Sequence, residues 1–413
     1  MSDQAGGSPS GTPAPHPARL PLGHDRSLIA HRYSLTAPMS SRLHALHAAG
    51  QSIWLDYIDR AMLENGDLER RIREDALMGM TSNPTIFEKA LAEGAHYDQQ
   101  LAAADAGLSA WELFELVETE DVRRACDVFR PVYDATNGKD GYVSIEVSPG
   151  VANEPDATIE EGRRLWATVD RPNVMIKVPG TEGGSRAVRT LLADGINVNV
   201  TLLFSVEAHR RVMEAYLDAL EQRAAAGQPI DRIASVASFF ISRVDSEIDK
   251  RLDTIIAQLP EERRDYAAQL KGKAAIANAK LAYRLFQQLF SGARWDALAS
   301  KGAHVQRPLW ASTSTKNPTY RDTLYVEQLI GPDTVNTMPP ATLEAFRDHG
   351  ETARTIDADV EGAERALADL EALGVSLPAV TDKLLTEGIA SFQTSFDGLL
   401  AGLERRISTL AAR

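Results

Sequence analysis

Residues 173–181 read NVMIKVPGT, and Lys177 stands between Ile176 and Val178 in a run that otherwise reads as a buried strand entering a turn. Lysine is almost never fully buried without a partner. Burial among apolar side chains disfavours the charged amine and lowers its pKa from the ordinary value of about 10.4. A neutral lysine amine attacks carbonyl carbon and forms a Schiff base. The iminium so formed accepts electrons, so a C–C bond beside it can break, and nearby carboxylates can divide the proton transfers. Two carboxylates stand in comparable runs: Asp56 in SIWLDYI, 52–58, and Glu146 in YVSIEVSPG, 142–150. The same residues admit a structural ion pair between Lys177 and Glu146, or a Schiff base to pyridoxal phosphate. The chain shows no clear Gly-rich cup for that cofactor's phosphate.

Such groups act together only if the fold gathers them. Short apolar runs alternate with longer helical patterns along the chain. Besides 52–58, 142–150 and 173–181, the runs are LMGMTSNP (77–84), NVNVTLLFS (197–205), IASVASFFIS (233–242), VQRPLWAST (305–313) and TVNTMPP (334–340). Runs of Val, Ile, Leu and Met without polar alternation fit parallel strands covered on both faces. Eight such units predict an α/β fold, a (β/α)8 TIM barrel with additional helices. An open doubly wound sheet would show a Gly-rich turn after its first strand, and here Asp56 and Tyr57 follow instead. TIEEGRRLWATV is expected to start a helix at a Thr158 cap, and GSRAVRTLLADG to end one at Gly195. Long helical stretches are expected over 243–303, with no role assigned, and from Leu343 to Arg413 with a break near LGVSLP.

Barrel enzymes carry their sites at the C-terminal ends of the strands. The polar residues there are Asp56; Thr81, Ser82 and Asn83; Glu146; Lys177; Asn199 and Thr201; Ser238 and Arg243; Ser312, Lys316 and Asn317; and Asn336. Each has a plain structural reading. Asn83 before Pro84 would cap a helix, Asn199 and Thr201 would satisfy buried hydrogen bonds, and Lys316 would be a solvated loop lysine. Three strands each burying an ionisable group near one end of a barrel form a stronger signal, costly for stability and common at catalytic sites.

The 413 residues suffice for one barrel of roughly 250 residues plus extra helices. A net charge of −14, with no run of Lys and Arg, argues against a general nucleic-acid binder. The single cysteine, Cys126, forbids an intramolecular disulfide and reads as a small buried hydrophobe. No apolar run approaches the roughly 20 residues of a membrane span. The nine histidines show no metal-binding spacing, and His44 and His47 are expected on a solvated helix face. Residues 1–38, rich in Gly, Pro, Ser and Ala, lack the apolar core of a secretory signal and read as a disordered tail. Met39 would be an alternative start, and 39–413 a single barrel domain.

GMTSNPTIFEKA, VMIKVPGTEGG and GINVNVTLLFS together resemble transaldolases of the type found in actinobacteria and cyanobacteria. The resemblance runs from about Ser41 to the C-terminus. It implies a class I aldolase barrel that moves a dihydroxyacetone unit from sedoheptulose 7-phosphate to glyceraldehyde 3-phosphate, giving erythrose 4-phosphate and fructose 6-phosphate, in the non-oxidative pentose phosphate pathway. No cofactor or metal is implied, and the partners are small sugar phosphates. The enzyme is expected in the cytoplasm, as a monomer or homodimer. The Schiff-base lysine falls on Lys177 and the acid/base aspartate on Asp56. Glu146 and Thr201 would hold a proton-shuttling water. Asn83, Asn199 and Ser238 would hold the dihydroxyacetone moiety. Arg243 and Ser312 would bind phosphate. Many members carry an arginine two residues after that serine; here Ser314 stands there, and Lys316 is expected to replace it. Another Schiff-base aldolase, or a barrel turned interaction protein, is the alternative.

Overall fold

The computed structural model describes residues 41–92, 96–105 and 107–411. The expected tail and the alternative start at Met39 lie outside them. All eight expected strands form: β1 (Gln51–Asp56), β2 (Leu77–Thr81), β3 (Tyr142–Glu146), β4 (Val174–Pro179), β5 (Val198–Leu203), β6 (Ser235–Phe240), β7 (Arg307–Ala311) and β8 (Thr334–Met338). They pair in parallel and in sequence order, and β8 closes on β1, giving a (β/α)8 barrel. Nearly every strand residue is buried, as runs without polar alternation require. The strands are shorter than the apolar runs, because apolar or proline-containing turns continue each run past its last ladder bond.

Helix starts show why. Pro84 has no N–H to give a ladder, and the helix Pro84–Ala92 begins there, with the Ile86 N–H donating to Asn83 Oδ1 at 3.1 Å. Thr158 is not the cap expected of it. The helix runs Pro155–Val169, because the fixed φ of Pro155 suits a first helical position. Thr158 lies inside it and donates to the Val151 carbonyl at 2.7 Å. Gly195 does end the helix Glu182–Ala193, at φ 95°, where a side chain would be strained. His44 and His47 also depart from expectation: their helix, Arg42–Ala48, packs on β1 and leaves both half-buried. Cys126 is buried in the helix Ala110–Ala135.

The stretch 243–303 forms four helices, Ser242–Ile256, Glu261–Ala268, Ala274–Leu289 and Ala293–Ala299. They cover the barrel between β6 and β7. Ala274–Leu289 packs against Val206–Ala225 and Val360–Ala372, and Asp245 joins two of the four by accepting from the Ala275 N–H at 2.8 Å. The C-terminal helical region breaks at Leu373–Ser376 as expected, and also over 350–359, between the helices Pro340–His349 and Val360–Ala372; its last helix, Leu377–Ala411, packs on Pro84–Ala92 and Ala110–Ala135.

The N-terminal end of the barrel is plugged by a buried charged cluster. Asp140 pairs with Arg307 at 3.0 Å and accepts from Ser52 Oγ at 2.5 Å and Trp54 Nε1 at 3.0 Å. Trp54 fits because β2 offers Gly79 opposite: a Cβ there would stand 2.5 Å from the indole ring. Asp140→Ala leaves Arg307 buried without its counter-charge. It is expected to cost about 3–5 kcal/mol, read as a fall in the denaturation midpoint.

Candidate active site

Strand register assembles the opposite end. Glu146 on β3 is level with Lys177 on β4, and Lys177 with Asn199 on β5. One row of three strands therefore carries a carboxylate, an amine and an amide. Lys177, only 5% exposed, donates to Glu146 Oε2 at 2.8 Å and to the Ser82 carbonyl at 3.0 Å. The ion pair that the sequence admits is present, and it lies inside the cluster expected of a catalytic site. Burial pushes the Glu146 carboxyl above the usual carboxylate range, against the pull of Lys177.

Asp56, the last residue of β1, keeps part of its surface open to the barrel mouth. It lies deep enough among protein atoms that desolvation raises its pKa, while the Lys177 charge and the Thr81 hydroxyl act the other way. Thr81 donates to Asp56 Oδ1 at 2.9 Å and meets Thr337 Oγ1 at 2.9 Å. Thr337 has no special mark in TVNTM and finds its place only through the β8–β1 closure.

Asn199 is oriented at both ends. Its Nδ2 donates to Ser144 Oγ at 3.0 Å, and its Oδ1 accepts from Ser238 Oγ at 2.7 Å. Ser144, not foreseen in the sequence, also accepts from Ser82 Oγ through its carbonyl at 2.9 Å. Thr201 Oγ1 is buried and has no partner among the described residues. Asn83 combines its capping contact with a place directly after β2, next to the residue whose carbonyl receives Lys177.

A cationic rim lies beyond. Arg243 is in the first turn of Ser242–Ile256, its guanidinium 5.1 Å from the Phe240 ring, and it forms no ion pair among the described residues. Ser312, at φ 57°, holds a left-handed conformation that is sparsely populated by serine, and its Oγ lies 2.9 Å from Ser242 Oγ. Lys316 is exposed, with its amine 2.8 Å from Ser314 Oγ. Partial burial of the amine and repulsion from Arg243 lower its pKa. Lys316 thus belongs to the rim field without being buried in it. Asn317 turns away into its own loop, accepting from Thr319. Asn336 Oδ1 accepts from Thr313 at 2.9 Å, and its Nδ2 is buried without a partner among the described residues.

No group of three or more His, Cys, Asp or Glu among the described residues is placed to hold a metal ion, and no helix among them is long and apolar enough to cross a membrane.

A closed parallel barrel with a lysine, two carboxylates and oriented amides at the C-terminal ends of its strands has the build of a (β/α)8 enzyme. Comparison narrows this class. Residues 53–403 match the family described as Transaldolase/Fructose-6-phosphate aldolase. The chain is 49% identical over 372 residues to "Transaldolase" of Thermobifida fusca, covering 90% of this chain and 99% of that one. It is 48% identical over 376 residues to "Transaldolase" of Parafrankia sp., covering 91% and 100%, and 47% identical over 367 residues to "Transaldolase 2" of Nostoc sp., covering 88% and 96%. The chain belongs to the transaldolase/fructose-6-phosphate aldolase family and is an enzyme of it.

The Thr81 hydroxyl favours ionised Asp56. Thr81→Val is therefore expected to raise the Asp56 pKa further, seen as an upward shift of its carboxyl titration by NMR.

Proposed function

We propose that this enzyme transfers a dihydroxyacetone unit from sedoheptulose 7-phosphate to glyceraldehyde 3-phosphate through a Schiff base on Lys177, within a single domain spanning 39–413 and in the cytoplasm, as part of the non-oxidative pentose phosphate pathway. The observation that carries this reading is the buried row Glu146–Lys177–Asn199 facing Asp56, in a chain of this family. Lys177 passes its proton to the Glu146 side, and the free amine adds to the substrate C2 carbonyl. A water held by Glu146 and Thr201 carries protons as the carbinolamine loses water; a buried hydroxyl without a protein partner is the kind of group that binds such a water.

In the iminium, Asp56 takes the proton from the C4 hydroxyl, the C3–C4 bond breaks, and erythrose 4-phosphate leaves. The electrons rest in an enamine held by Asn83 and by Asn199, which Ser238 orients. Glyceraldehyde 3-phosphate enters, its carbonyl carbon is attacked by the enamine, and Asp56 returns the proton to the new hydroxyl. Water then releases fructose 6-phosphate. Arg243, Ser312 and Lys316 receive the phosphate, and they supply the local positive field that a chain of net charge −14 needs to attract an anion.

The family description also includes fructose-6-phosphate aldolase, which supports a second reading: cleavage without an acceptor. Turnover of fructose 6-phosphate with and without erythrose 4-phosphate separates the two. Comparable acceptor-independent release of free dihydroxyacetone overturns the transfer reading.

Borohydride reduction in the presence of fructose 6-phosphate is expected to leave an adduct on Lys177 in peptide mass spectrometry. Lys177→Ala abolishes both adduct and turnover; an adduct at another residue sinks the mechanism. Asp56→Ala still traps the substrate but is expected to lose about 10²–10⁴-fold in turnover. Lys316→Ala is expected to raise KM for phosphorylated substrates with little change in kcat, and Lys316→Arg to preserve it.

A further inference from the structure

The terminal helix Leu377–Ala411 turns one buried stripe toward the barrel, through Leu384, Gly388, Phe392, Phe396, Leu399 and Leu403. Several contacts fix it in place. Lys383 pairs with Glu247 at 2.6 Å, Ser395 Oγ accepts from Thr85 at 2.8 Å, and Arg406 pairs with Asp98 at 2.7 Å. The Phe396 ring lies 5.2 Å from that of Trp111 and 5.9 Å from that of Phe114.

Between these anchors the helix comes close to the site. A Cβ on Gly388 would stand 3.0 Å from Leu202 and 3.6 Å from Arg243 Nη1, so only glycine lets the backbone approach this near without the leucine giving way. One turn on, Phe392 is 6% exposed, and its ring centroid is 5.8 Å from Lys177 Nζ. A phenyl ring moves no protons. It can favour a cation over its face, and the iminium nitrogen is such a cation. It can also keep water away from whatever is attached to the amine.

We propose that Phe392 is a specificity-determining residue that keeps the three-carbon enamine on Lys177 from water until an aldehyde arrives. This rests on the Schiff-base reading above. The reaction it suppresses has two steps. The carboxylic proton held by Asp56 adds to enamine C3, forming a C–H bond and regenerating the iminium. Solvent water then adds to the iminium carbon and the C–N bond breaks, so free dihydroxyacetone leaves and the Lys177 amine is restored. Transfer requires that C3 meet an aldehyde carbon before that proton and that water.

The test compares the unaltered enzyme with Phe392→Ala and Phe392→Leu, each first checked for its folded circular-dichroism spectrum. Fructose 6-phosphate is supplied with and without erythrose 4-phosphate, and the ratio of free dihydroxyacetone to transfer product is measured. Phe392→Ala is expected to raise that ratio about tenfold or more while the borohydride adduct on Lys177 still forms, and Phe392→Leu to fall between. If the alanine variant does not fold, the leucine variant decides alone by the direction of its ratio. An unchanged ratio with the adduct intact overturns the proposal. Absence of the adduct in the unaltered enzyme sinks the Schiff-base reading instead.

Discussion

The pair between Lys177 and Glu146 is the constraint on which the rest of the site depends. Two charges are held at 2.8 Å, both nearly removed from water. Their mutual attraction offsets desolvation only if geometry is good and the remaining hydrogen-bonding groups are met. The register of β3 against β4 supplies the distance, and the Ser82 carbonyl just past β2 accepts a second hydrogen bond from the amine. Moving either strand by one residue would turn one of the two side chains to the outside of the barrel and leave the other charged and alone. The apolar strands around them specify that register, so the core and the chemistry are one problem solved by one arrangement.

The two ends of the barrel hold their buried charges in different ways. At the N-terminal end Asp140, Arg307, Ser52 and Trp54 bond to one another in a closed set. At the C-terminal end Thr201 Oγ1 and Asn336 Nδ2 lack partners among the described residues, and half-buried Arg243 feels the charges of Asp56 and Glu146 without pairing directly to either. An unsatisfied buried group costs stability, and native folds keep few of them. Two such groups, with Ser312 at positive φ, lie on the side that carries Lys177, while others, among them Gln51 Oε1 and Gln306 Oε1, lie at the N-terminal ends of the strands. The terminal helix, packed on Ser242–Ile256, adds burial around the mouth at Lys177.

Much of this was legible in the chain. Fully buried parallel strands write themselves as unbroken apolar runs, so all eight strands and the ionisable groups within them stood out. Their ends did not, because proline and apolar turns extend the runs beyond the ladder, as at Thr81–Pro84. The start of the helix at Pro155 is not legible because Thr158 and its following glutamates imitate a cap. Ser144 and Thr337 were invisible for another reason: a hydroxyl inside a strand gains meaning only from its neighbour across the sheet. Phe392 lies in a helix whose apolar stripe reads as ordinary packing, and nothing in its spacing says which residue it will cover. The proposed roles of Asn83 and Ser238 show the limit of single labels. One also caps a helix and the other holds an amide in place.

The order in which the chain is made gives the terminal helix one more consequence. All eight strands and their crossovers precede residue 377, so the barrel's own pairings can be complete while Leu377–Ala411 is still to be synthesised or docked. Domains fold as units while the chain emerges, N-terminal parts first. During that interval the Lys177 amine would face the mouth without the aromatic wall that later lies over it. Docking of Leu377–Ala411 would then be a last step distinct from folding of the barrel, the one that sets the Phe392 ring 5.8 Å from the Lys177 amine.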